Sequence, residues 1–159
     1  MRMSSAFIQT FTQNVPYHSD PTAIFATLCE NKPNTLLLES AEISSKNSLK
    51  SLLLVNAAMK ISCLGQTVTF HALTDNGAAV LPLIEQKLSA QVNVTSQTST
   101  ELQVEFKPAG NNADEDSKLL APGIFDGLRC FTELYQASSL PVFLGGLFAY
   151  DLVANFIPM

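Results

Sequence analysis

The stretch Met59-Lys60-Ile61-Ser62-Cys63-Leu64-Gly65-Gln66-Thr67-Val68-Thr69-Phe70-His71-Ala72-Leu73 decides the fold class. Gly65-Gln66 divides it into two arms of strand length, and a two-residue break containing glycine is a hairpin signal. In the second arm Val68, Phe70 and Ala72 alternate with Thr67, Thr69 and His71, so one face is apolar and the other polar. Strands joined by so short a loop must run antiparallel. The sheet therefore starts as an antiparallel pair with one face to bury.

Downstream, Thr74-Asp75-Asn76-Gly77 is turn chemistry able to cap a helix, and Ala78, Leu81, Ile84 and Leu88 form that helix's buried stripe. Pro82 either bends it or marks its true first turn. Val92 to Val94 and Leu102 to Phe106 read as two further strands, the second with Leu102, Val104 and Phe106 inward and Gln103, Glu105 and Lys107 outward. Pro108 to Lys118, with Asp114-Glu115-Asp116, reads as an exposed acidic loop. Ile124, Phe125, Leu128, Phe131, Leu134 and Tyr135 recur at helical spacing, and Ser138-Ser139-Leu140-Pro141 ends that helix. Val142 to Leu152 is almost wholly apolar and reads as a buried strand, with Gly145-Gly146 marking close backbone approach inside a sheet.

Upstream, Ala6 to Thr12 alternates like a strand. Asp20-Pro21 opens a helix, because Asp caps the first N–H groups and Pro suits the first helical position. Ile24, Phe25 and Leu28 form its inner face, and Lys32-Pro33-Asn34 turns the chain away. Thr35 to Leu38 reads as a short buried strand passing into Glu39-Ser40, and Leu52 to Val55 as another strand. Strands outnumber helices and arrive as neighbours. The expected class is α+β, with a largely antiparallel, sandwich-like sheet and flanking helices.

Composition narrows the function. With 159 residues the chain fits one domain of ordinary size. Hydrophobic residues make up 47% and mean hydropathy is +0.19, which excludes intrinsic disorder. Charged residues reach only 14%, against about 25% in ordinary soluble domains, so some uncharged surface is expected to lie against further protein. A net charge of −5, and only three lysines in the densest basic stretch from Lys46 to Lys60, disfavour nucleic acid as a partner. The apolar runs fall far short of the roughly 20 residues that span a membrane, and the N-terminus carries no secretory h-region. Cys29, Cys63 and Cys130 are widely spaced and odd in number, and read as buried free thiols of a cytoplasmic protein. Phe156-Ile157-Pro158-Met159 follows an apolar run without a capping turn or charged tail, which reads as a cut within a longer protein.

Local chemistry is sparse. His18 and His71 stand outside any triad pattern and read as structural or surface residues. Gly145-Gly146 lacks the further glycine or Lys-Ser/Thr of a phosphate loop. The acidic triplet lacks the spacing and glycine of a calcium loop. No catalytic and no metal-ligating residues are assigned on these grounds.

A resemblance carries more. Leu36-Leu37-Leu38-Glu39-Ser40-Ala41-Glu42-Ile43-Ser44-Ser45-Lys46, followed by Leu49-Lys50-Ser51-Leu52-Leu53, resembles the LLLES segment of anthranilate synthase component I, the large subunit. Asp20-Pro21-Thr22-Ala23 and Phe125-Asp126 agree in order, and Phe143-Leu144-Gly145-Gly146-Leu147-Phe148-Ala149-Tyr150-Asp151-Leu152-Val153 is similar to the family's GGL-x-x-YD signature. The resemblance covers essentially the whole chain, the acidic loop being its most individual part.

It implies that residues 1–159 are the N-terminal, tryptophan-binding regulatory region of a several-fold longer subunit, an incomplete part of a two-layer structure. The C-terminal region that handles chorismate and Mg2+ is absent, so this chain is expected to hold no cofactor and to be inactive by itself. The resemblance implies an L-tryptophan site formed by Leu38, Glu39, Ser40 and Lys50 with Pro21 close by, and a glutamine amidotransferase subunit as partner. The parent reaction it implies is a lyase reaction of tryptophan biosynthesis, making anthranilate and pyruvate from chorismate with glutamine or ammonia. Two alternatives stand beside it: the large subunit of aminodeoxychorismate synthase, against which Glu39-Ser40-Ala41-Glu42 argues, and a non-enzymatic interaction module.

Overall fold

The computed structural model describes residues 11–39, 51–107, 114, 120–134, 142–150 and 152. These fall into two compact units, one built on Ala58–Phe143 and the chain from Phe148 onward, the other on Phe11–Ala57 with Leu144–Leu147.

The first unit contains β3 (Met59–Leu64), β4 (Thr67–Ala72), α2 (Asp75–Leu88), β5 (Val92–Gln97), β6 (Glu101–Phe106) and α3 (Asp126–Leu134). Its sheet is antiparallel, with strand order β3-β4-β6-β5. The opening hairpin forms as expected: Gly65 adopts φ +58, which glycine reaches without steric cost, and Leu64 pairs with Thr67 across the loop. Register then places Phe70 beside Leu102 and Val68 beside Val104, so the inward sets of β4 and β6 share one face.

Phe70, Leu102, Val104 and Phe106 are 0% exposed. Each such side chain contributes about 1.5–3 kcal/mol by leaving water, and together they form the base on which the helices pack. α2 lies over β4 and β6 and also meets α3. Phe131 of α3 reaches Phe70 with ring centroids 6.1 Å apart. The layer that covers this sheet is thus helical.

Helix α2 starts where the turn chemistry places it. Thr74 is the N-cap, and its Oγ1 accepts the Gly77 N–H at 3.1 Å. The stripe of Val80, Leu81, Ile84 and Leu88 is buried, Ala78 only partly. Pro82 is neither the first turn nor the end: the helix runs through it, with the ring on the exposed side. In α3, Asp126 orders the entry, its Oδ2 accepting the Gly123 N–H at 2.7 Å while its Oδ1 pairs with Arg129 at 2.9 Å. At the β5 edge the register shifts between Val94 and Ser96, and the Thr95 hydroxyl donates to the Gln103 carbonyl oxygen at 3.2 Å. Such a bulge twists an edge strand and discourages further pairing.

The second unit contains α1 (Pro21–Cys29), β1 (Leu36–Glu39) and β2 (Ser51–Leu54), the two strands forming an antiparallel pair. Asp20 caps α1, its Oδ1 accepting the Ala23 N–H at 2.9 Å, and Pro21 fills the first helical position. Glu30, Asn31 and Asn34 all take positive φ after the helix, which turns the chain toward β1.

Several expectations are corrected. The segment 142–150 is irregular rather than a buried strand: Leu147 is 98% exposed and Phe148 69%. An apolar run becomes a strand only if a neighbour accepts its backbone hydrogen bonds, and among the described residues no strand lies beside it. Within the first unit the Phe148 ring meets Phe125 at a centroid distance of 6.1 Å, and Leu152 packs on the core. Around Gly146 there is open space rather than close backbone approach. β1 is half-buried to exposed, not buried, because among the described residues only β2 pairs with it. On α1, Ile24 and Phe25 are half-buried, but Leu28 is 47% exposed. Cys29 and Cys130 are buried, whereas Cys63 sits beside the hairpin turn at the end of β3 and is exposed. Phe11 and Thr12 lie in irregular backbone, and the rest of the strand expected there lies outside the described residues. The acidic loop, apart from an exposed Asp114, lies outside them too.

Candidate functional site

Of the five residues that the resemblance singles out, two, Leu38 and Glu39, lie on the β1–β2 ladder. The ladder pairs Leu38 with Leu52 and Glu39 with Ser51. Glu39–Ser51 is the last pair among the described residues, and Ser40 and Lys50 adjoin those two residues in the sequence. Ser40 and Lys50 themselves lie outside the described residues.

Strand periodicity separates the remaining two. Successive side chains point to opposite faces, so Leu38 shares a face with Leu52, and Glu39 lies on the other with Ser51. Leu38 is 47% exposed and Leu52 39%, which leaves an apolar pair open on one side of the hairpin. Glu39 is exposed, and among the described residues it enters no ion pair. Among the described residues the β1–β2 sheet has two strands, and no third described strand pairs with the backbone N–H and C=O groups on their outer edges. Chemically, this end offers a carboxylate, backbone donors and acceptors, and a small apolar surface. Pro21 stands apart from the ladder in sequence, half-buried at the start of α1.

A shallow recess of about 210 Å³ runs beside α1 in the same unit, lined by His18, Ala23, Ile24, Thr27 and Leu28. Of the described candidates, Pro21, Leu38 and Glu39 do not line it. The sequence signal for it was the i, i+4 spacing of Ala23 with Thr27 and Ile24 with Leu28, which puts both pairs on one helical face. Its lining is mostly apolar, and His18 is engaged in local structure, with Nδ1 accepting the Asp20 N–H at 3.1 Å.

Elsewhere the titratable groups have structural surroundings. His71 Nδ1 lies 3.4 Å from Glu101 Oε2 on the solvent face of the four-stranded sheet. The Cys63 Sγ donates to the Gly65 carbonyl oxygen at 3.5 Å, and partial desolvation raises its thiol above the ordinary value. A thiol shifted this way is a poor nucleophile at neutral pH. Among the described residues no group of three or more His, Cys, Asp or Glu side chains could hold a metal ion, and no helix is long and apolar enough to cross a membrane.

Among the described residues these features define an α+β region in which Leu38 and Glu39 are exposed on a strand ladder. No family model matches the chain. It is 59% identical over 157 residues to the anthranilate synthase component 1 of Haemophilus influenzae, covering 98% of this chain and 30% of that protein. The protein of that name from Vibrio parahaemolyticus is 49% identical over 155 residues, covering 96% of this chain and 28% of the relative. That of Escherichia coli is 42% identical over 160 residues, covering 98% and 30%. The chain belongs to the anthranilate synthase component 1 family and corresponds to its N-terminal region. It spans about 30% of the length of these curated relatives.

Proposed function

We propose that this chain is the feedback-regulatory region of anthranilate synthase component I, and that L-tryptophan binds at the Glu39–Ser51 end of the β1–β2 ladder. The observation that carries the reading is the match of nearly the whole chain to that family, 98% of its length at 59% identity. Free tryptophan is a zwitterion whose two charged groups need opposite partners. Glu39 and the edge carbonyls of β1 suit the ammonium, and the Ser40 hydroxyl and Lys50 ammonium suit the carboxylate. The indole needs apolar cover, for which Leu38 and the Pro21 ring are the candidates. Because Leu38 and Glu39 occupy opposite faces, the ligand sits across the strand end, where both are within reach, rather than flat on either face.

Such a site is one wall. A ligand of this size binds well only when most of its surface is covered, and the opposing wall belongs to the part of the family's length that this chain does not span. Inhibition follows if tryptophan binds one state of the whole subunit better than the other. A coupling of about 1–3 kcal/mol changes affinity about 5–150-fold.

The parent reaction is then the conversion of chorismate, with glutamine or ammonia, to anthranilate and pyruvate in tryptophan biosynthesis. A glutamine amidotransferase subunit supplies the ammonia. The Mg2+ that this chemistry uses is assigned, as the resemblance implies, to the remaining length of the subunit. The names of the relatives favour the anthranilate branch over aminodeoxychorismate synthase. The test is Ser40→Phe in the complete subunit, which fills the slot and removes a hydroxyl. The tryptophan concentration for half-inhibition should rise at least about tenfold, a loss of about 1.4 kcal/mol, with kcat close to wild type. Unchanged inhibition would overturn the reading.

A further inference from the structure

We draw no further inference here: the strongest candidate, the surface patch of exposed apolar side chains at Phe143, Leu144, Leu147, Phe148 and Tyr150, carries nothing because nothing in the structure shows what covers it.

Discussion

Gly77 lies in the first turn of α2, where the helix presses against the backbone entering β3. A Cβ built there would collide with the Ala58 carbonyl oxygen and lie 3.0 Å from its carbon, with the Ala72 Cα at 3.4 Å. All three are backbone atoms, so no side chain can swing aside. The same Ala58 oxygen accepts the Leu73 N–H at 2.9 Å, and the Gly77 N–H donates to the Thr74 cap. Gly77→Ala must therefore move the helix start or break one of these bonds. Helix propensity favours alanine by about 1 kcal/mol. Overpacking costs about 1–3 kcal/mol, and a lost hydrogen bond adds about 0.5–1.5 kcal/mol. Immovable backbone places the clash at its upper end, and the net effect is a loss of about 2–3 kcal/mol. The chain has no Trp, so urea unfolding is followed by far-UV circular dichroism. With a slope of about 1–3 kcal/mol per molar urea, the midpoint should fall by about 0.7–3 M. The same substitution at Gly127 is the control: there a Cβ would meet Phe70, Val68 and Phe106 side-chain atoms at 3.4–3.7 Å, ordinary contact distances. Gly127→Ala should leave the midpoint unchanged or raise it. If Gly77→Ala proves as stable as wild type, the close approach of α2 to Ala58 is wrong.

Thr74→Ala removes the acceptor for the Gly77 N–H and should cost about 1 kcal/mol in the same unfolding experiment, with Thr74→Ser recovering most of it. Cys63 should alkylate with a pH midpoint above the ordinary thiol value of 9.0, because desolvation disfavours its thiolate, while Cys29 and Cys130 react only on unfolding. The folded state then binds more protons than the unfolded one above that ordinary value. Stability should fall as pH rises from there through the folded-state pKa, and Cys63→Ser should remove that part of the slope. The purified chain should form no anthranilate from chorismate, ammonia and Mg2+ above a heat-killed control, and turnover would contradict assigning the chemistry to the length it does not span.

How far the sequence could be read depends on the range of the interaction. The hairpin at Gly65-Gln66, the Thr74 and Asp20 caps, and the alternation of Val68, Phe70, Leu102 and Val104 are local signals, and the structure contains all of them. What misled was burial decided at long range. Leu38 of β1 and the apolar run around Leu147 are as hydrophobic as the inner strands, yet they stand exposed because neighbours, not composition, decide burial. Cys63 shares a face with Val68 by register, but lies beyond the cover that buries Val68. The candidate site was legible only through resemblance. Glu39 is one exposed carboxylate among others, and the face it occupies, opposite Leu38, emerges from the register of β1 on β2.

The most direct test of the regulatory reading is calorimetric titration of the complete subunit with L-tryptophan, substrates absent, as wild type and as Ser40→Phe. The account predicts saturable binding by the wild type, at least about tenfold weaker binding by Ser40→Phe, and weak or undetectable heat with the 159-residue chain alone. Equal affinity of the two complete subunits would contradict it. So would micromolar binding by the short chain, which would mean that the pocket needs no second wall.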